Sequence, residues 1–446
     1  MAASASREAT RLRTRHATPA PHTFDAAEAP VREPRHLAPK PPRTAGRRRG
    51  LLVGALCAVG VAFALFVVVV VVGVPARDGF GITESMGSYE EDAYPPLPTP
   101  ESIAPRQSAP ARANGHAYAD RPEPATLPSG IAIPPAPAAP PAVTAKRAVV
   151  IDAATGGVLW GLNADEPAPM ASTVKILTAL TVLHFTDPSE VVTATQQATD
   201  VGEREINLAP GEQMDVATLL GAMLVGSAND AAAALGLEVG GTMEGYSAVA
   251  NWVARRLGAR NTSVANSHGL DQPGHVTSAY DLAILARAGL SDPTFAQWVR
   301  TPEYAVPWPG HPGPRVATSH NKLLRTYPGA IGVKTGMTNG AGNCLVGAAT
   351  RDGRTFIVAS MSSQNPTGDD SALLDWAFAN YTSVKALGAG EAMTDADGIE
   401  REAVTDLIAT VPTASAQSVT LRFREGRLQA VLGDQVISEV DARRPG

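Results

Sequence analysis

Cysteine is almost missing from the 446 residues. Cys57 and Cys344 are the only two, which excludes a disulfide-built scaffold and a Cys-rich zinc site. Lysine is scarce as well, six against 31 arginines, so a lysine inside a motif carries more information than usual. There is no basic excess: the formal net charge is -6, which speaks against a general nucleic-acid binder. Aromatic residues make up 5% and hydrophobic residues 44% of the chain. The length suits one large or two ordinary domains. Nothing suggests a metal, nucleotide or redox cofactor.

Residues 1–50 carry eleven Arg or Lys against four Asp or Glu, with Pro and Ala between them and no apolar periodicity. Such a segment is expected to be a disordered, basic cytoplasmic tail. An uncharged apolar run follows at 51–74, long enough at ~1.5 Å per residue to cross a hydrocarbon core of ~30 Å. It reads as a transmembrane helix. Basic residues before it and Glu84, Glu90, Glu91 and Asp92 after it put the N-terminus in the cytoplasm and the rest outside. The rival is a cleaved signal peptide, since Val74, Pro75 and Ala76 resemble a cleavage site and a secreted product would follow. Its apolar region would be unusually long, so the retained anchor is the expectation. Residues 75–145 are rich in Pro and Ala, with 14 prolines between 95 and 141, and read as a semi-rigid extracytoplasmic linker.

Globular patterning begins at Lys146. Alternating and apolar runs at 147–152 and 158–162 around a Gly156-Gly157 turn predict a β-hairpin. Helical spacing follows at 170–184, 215–225, 229–238, 243–257 and 278–289, strands at 330–335, 344–350 and 355–360, and a helix at 369–380. Strands at both ends with helices between predict one α/β (α+β) unit at 146–385 whose terminal segments share a sheet. For 386–446 only a strand pair at 418–424 and 427–432 is expected, and the structure of this extension is otherwise left open.

Three short elements can do chemistry. Ser172 and Lys175, three apart on a helix, share a face about one turn apart. Near the helix start, free N–H groups favour a developing oxyanion. A serine hydroxyl needs a base within reach, and lysine serves only if burial or a second cation lowers its pKa. Lys334, Thr335 and Gly336 end a predicted strand and supply that cation, a hydroxyl and an open approach for substrate backbone. Ser227 and Asn229, in a loop between two helical runs, offer a proton relay and an amide. Ser-x-x-Lys recurs at Ser319 and Lys322, and Ser-x-Asn at Ser319 to Asn321 and Ser363 to Asn365. Those copies fail on order and distance.

The stretches ASTVKILTAL, LLGAMLVGSANDAA, SHGLDQPGHVTSAYDLA and GVKTGMTNGAGNCLVGAA carry the Ser-x-x-Lys, Ser-x-Asn and Lys-Thr-Gly signature of penicillin-binding proteins and class A β-lactamases. They resemble serine-type D-alanyl-D-alanine carboxypeptidases of peptidase family S11 in particular, over roughly residues 146–385. The resemblance implies a β-lactamase/transpeptidase-like fold, an antiparallel sheet with an all-helical subdomain. It implies that Ser172 attacks a peptidoglycan stem peptide ending in D-Ala-D-Ala, with Lys175 as base, Ser227 and Lys334 moving the proton to the leaving D-alanine, and Asn229 positioning the peptide. It also implies an oxyanion hole from the backbone of Ser172 and Met337, carboxylate binding at Thr335, and inhibition by β-lactam antibiotics.

There are departures. Many relatives carry an arginine beyond the strand that follows Lys-Thr-Gly, and residues 362–371 here have none, so carboxylate binding is expected to rest on Thr335 and Lys334. Relatives with a C-terminal anchor end in a larger β-domain, whereas an N-terminal helix would take over anchoring here. A β-lactamase would need a deacylating glutamate, and residues 203–207 offer Glu203 and Glu205, but before the Ser-x-Asn element rather than after it. A DD-endopeptidase uses the same site on cross-linked peptides. A silent, membrane-tethered wall-binding protein should show a broken motif, and none is broken. His268 and Asp271 stay off the catalytic list, and Asp281, early in a helix, reads as a structural partner.

Overall fold

The computed structural model describes residues 133–445. The expected tail, membrane span and most of the linker lie outside the described residues. Among the described residues, no helix is long and apolar enough to cross a membrane.

A five-stranded antiparallel sheet organises residues 147–380. Its strands are β1 (Arg147–Asp152), β2 (Val158–Leu162), β3 (Ala330–Thr338), β4 (Gly342–Arg351) and β5 (Arg354–Ser363), in the order β2-β1-β5-β4-β3. The two ends of the unit thus meet where β1 pairs with β5, Val149 opposite Ala359. These strands are nearly continuous apolar runs because both faces are covered. Side chains alternate across a strand, so Val149, Ile151, Val346, Ala348, Ile357 and Ala359 enter the core on the helical side. Ala148, Val150, Leu345, Ala349, Phe356 and Val358 enter the core on the other face.

The helical side holds α1 (Lys175–Phe185), α2 (Val216–Val225), α3 (Asn229–Gly240), α4 (Met243–Arg256), α5 (Ala279–Leu290) and α6 (Pro293–Arg300). Helices α1, α2 and α3 are buried on nearly every side, as expected of helices that are apolar around their circumference. Starts are set by side-chain caps: Asp215 accepts the N–H of Thr218, Thr242 that of Gly245, and Ser278 that of Asp281. Helix α7 (Pro366–Asn380) covers the opposite face of the sheet.

Two boundaries differ from the sequence reading. Residues 133–145 are packed rather than linker: Ile133 and Ala145 are buried, the Trp376 indole donates to the Ala138 carbonyl at 3.0 Å, and Thr144 donates twice to the Asp369 carboxylate. Second, the chain beyond Asn380 is a small β-domain. Tyr381–Leu387 pairs with Leu407–Pro412, and a five-stranded sheet runs in the order Ala392–Thr394, Glu400–Ala403, Gln435–Arg443, Arg427–Leu432, Val419–Arg424. Leu407, Ala409, Val411, Leu428, Ala430 and Ile437 form its core.

Candidate active site

Ser172 lies in a turn of 3₁₀-helix, Ala171–Val174, that runs directly into α1. With three residues per turn, positions i and i+3 eclipse, which aligns Ser172 over Lys175 more closely than an α-helical turn would. The Lys175 Nζ is 3.0 Å from Ser172 Oγ. It also reaches Asn229 Oδ1 at 2.8 Å and the His268 carbonyl. Lys175 is fully buried, so these three atoms are its polar surroundings.

Asn229 opens α3, and Ser227 stands two residues before it in the loop from α2. Ser227 has a left-handed backbone, φ 63°, unusual for a residue with a side chain. Gly226 before it packs where a Cβ would lie 2.9 Å from the Ala317 methyl. Lys334, buried on β3, donates to Ser227 Oγ and to the Thr335 carbonyl, each at 2.9 Å. Ser172, Lys175, Asn229, Ser227 and Lys334 therefore form two adjacent hydrogen-bonded groups.

The third motif also closes on the nucleophile. A Cβ at Gly336 would lie 2.9 Å from the Ser172 nitrogen and 3.1 Å from that of Thr173. Glycine here keeps the Ser172 N–H uncovered, while that of Thr173 donates to the Met170 carbonyl at 3.2 Å. Along β3, Thr335 is half-buried and the Met337 side chain is 59% exposed.

Burial is the first cause that pushes the Lys175 amine well below its ordinary value, followed by Lys334 and then Arg204. Burial, and after it Arg204, brings Lys334 down to about 7. Repulsion between the two lysines falls on the one that loses its proton first, Lys175. The sequence offers burial or a second cation as the cause; in the fold both act, and desolvation leads. A neutral amine has two N–H bonds and one lone pair. With Asn229 Oδ1 and the His268 carbonyl taking both donors of the neutral amine, its lone pair is free to turn toward Ser172 Oγ, 3.0 Å away, whose hydroxyl otherwise reaches the His268 carbonyl at 3.5 Å.

Two contributors were missed in the sequence. One is the main chain of His268. Gly269, φ 98°, presses against the Ala171 carbonyl so closely that no Cβ fits, and Asn266 Oδ1 accepts the Gly269 N–H at 2.7 Å. This loop carries the His268 carbonyl onto Lys175. The imidazole itself is held neutral, its pKa lowered to about 3 by burial and by Lys175, and its Nδ1 accepts from Leu270 N–H within the loop. The other is Arg204, in the stretch set aside as a false glutamate loop; its carbonyl accepts the Asn229 N–H at 2.6 Å. Asp230, one residue past the motif asparagine, fixes that stretch by accepting from Ile206 N–H at 3.1 Å and Leu208 N–H at 2.9 Å.

Asp271 accepts from Thr338 Oγ1 at 2.6 Å and Gly340 N–H at 2.9 Å, pinning the turn after β3. Asp281 accepts from Asn261 N–H and Thr262 Oγ1, both at 2.7 Å. Both are structural.

The Peptidase S11 family, D-alanyl-D-alanine carboxypeptidase, matches residues 135–365. D-alanyl-D-alanine carboxypeptidase DacB2 of Mycobacterium tuberculosis is 37% identical over 239 residues, 52% of this chain and 81% of that protein. D-alanyl-D-alanine carboxypeptidase DacF of Bacillus subtilis is 34% identical over 249 residues, 52% of this chain and 62% of that protein. Among solved structures, penicillin binding protein 6B from Escherichia coli superimposes with a TM-score of 0.59 at 26% identity, covering 70% of this chain and 99% of that one.

Proposed function

Because this chain belongs to the D-alanyl-D-alanine carboxypeptidase family and is a hydrolase of that kind, we propose that it removes the last D-alanine from peptidoglycan stem pentapeptides through an acyl-enzyme on Ser172. The observation that carries this mechanism is the placement of Lys175 Nζ 3.0 Å from Ser172 Oγ, with Asn229 Oδ1 and the His268 carbonyl as acceptors for the two N–H bonds of its neutral form. As Ser172 Oγ bonds to the penultimate carbonyl carbon, its proton passes to Lys175 Nζ. The negative oxygen that results is held by the N–H groups of Ser172 and Met337. When the C–N bond breaks, the departing amine takes a proton relayed through Ser227, whose hydroxyl Lys334 fixes. Asn229 and the β3 backbone align the peptide, and Thr335 receives the terminal carboxylate. Water then attacks the ester, giving its proton back through Lys175, and the shortened peptide leaves. A β-lactam would acylate the same hydroxyl.

Labelling with a fluorescent penicillin followed by peptide mapping tests the assignment. Label on Ser172, and loss of both label and D-alanine release in Ser172→Ala, is the expected result. Label on another residue, or an active Ser172→Ala variant, refutes it. A synthetic pentapeptide and a cross-linked dimer digested side by side separate a carboxypeptidase from an endopeptidase.

The apolar run at 51–74 and its flanking charges support a further part of the reading, a single-pass anchor with the catalytic part outside the cytoplasm. The label should then sediment with membranes. A soluble product beginning at Arg77 would mean cleavage and secretion instead.

A further inference from the structure

A carboxypeptidase must distinguish a free C-terminal carboxylate from an internal peptide, which calls for a cation that stays charged. Lys334 is poorly suited to this alone: its amine titrates at about 7, and it already donates to Ser227 Oγ and the Thr335 carbonyl. Residues 362–371 hold no arginine. A guanidinium remains protonated at any relevant pH and pairs with a carboxylate through two parallel N–H bonds.

Arg204 places such a group at the cleft. Its carbonyl accepts the Asn229 N–H at 2.6 Å, and the Gly202 carbonyl accepts Asn229 Nδ2 at 3.0 Å. On its other side, Ile206 and Leu208 are tied to the buried Asp230. The backbone on both flanks is thus fastened to the residues next to the Ser-x-Asn element, while the Arg204 side chain is exposed. Its charge lowers the pKa of Lys175, Lys334 and His320 alike, so the guanidinium lies within electrostatic reach of all three.

We propose that Arg204 binds the terminal carboxylate of the stem peptide beside Thr335 and sets the preference for free C-termini. This rests on the carboxypeptidase reading above. The test compares diacetyl-L-Lys-D-Ala-D-Ala with its C-terminal carboxamide on the full chain. In Arg204→Gln the acid-to-amide ratio of kcat/KM should fall at least tenfold, chiefly through KM for the acid, and Arg204→Lys should recover part of it. An unchanged ratio overturns the proposal, including the case in which both substrates slow equally because the loop is merely disturbed. If the wild type releases D-alanine and labels at Ser172 while the ratio holds in Arg204→Gln, only the role of Arg204 fails. A wild type that releases no D-alanine removes the underlying reading and this inference with it.

Discussion

Gly336 on β3 faces the backbone nitrogen of Ser172 so closely that an added Cβ would lie 2.9 Å from it. The absent side chain is therefore part of the nucleophile's surroundings as much as a path for substrate. In Gly336→Ala the methyl group should cover an oxyanion donor and slow acylation by penicillin about 100-fold or more, the usual consequence of losing one such donor. Stopped-flow labelling measures this. Acylation at the native rate would show that the turn at Ser172 moves aside without cost.

Lys175→Met keeps the length of the side chain and removes its nitrogen, so Asn229 Oδ1 and the His268 carbonyl lose the amine as a donor. Acylation should fall by about 10²–10⁴-fold, the range expected of a general base, with Ser172 still present. A melting curve checks that the variant folds.

The pH profile of kcat/KM should be bell-shaped. Activity rises with pH as Lys175 loses its proton, because only the neutral amine can accept the one from Ser172. It falls as pH rises through about 7, where Lys334 loses the charge that fixes Ser227. Lys334→Arg should move the alkaline limb upward. A profile flat across neutrality would remove the Lys334 charge from the mechanism.

Asp230→Ala leaves the N–H groups of Ile206 and Leu208 without an acceptor. Each orphaned buried donor costs roughly 1–3 kcal/mol, so the unfolding midpoint in urea should drop. Amide exchange at positions 206 and 208 should accelerate more than elsewhere in the helical region, and unchanged protection there would contradict the anchoring role.

What could be read in advance depended on how each feature is encoded. Helices α2 and α3 and the sheet strands follow from apolar patterning, because burial on all sides selects for it. The pairing of Ser172 with Lys175 follows from spacing, although the 3₁₀ turn that aligns them does not. Arg204 was hidden between two glutamates, where a charge run reads as a solvated surface; the hydrogen bond from Asn229 to its carbonyl reveals its place. The His268 contribution is a carbonyl, which every residue has, so no side-chain pattern marks it. Residues 133–145 have the composition of a tether and pack partly through main-chain atoms of Ala136 and Ala138. The strands beyond Asn380 include runs as short as Ala392–Thr394, too brief for alternation to register.

The Tyr381 hydroxyl accepts the Ala136 N–H at 2.9 Å and reaches the Leu159 carbonyl at 3.4 Å. One phenol thus ties the incoming chain, the edge hairpin and the first residue of the β-domain. Anyone trimming this enzyme for crystallography or inhibitor screening should begin upstream of Ile133 and retain Tyr381. A fragment cut at Lys146 and Asn380 would strip that clasp from the back of the sheet while leaving every catalytic residue in place.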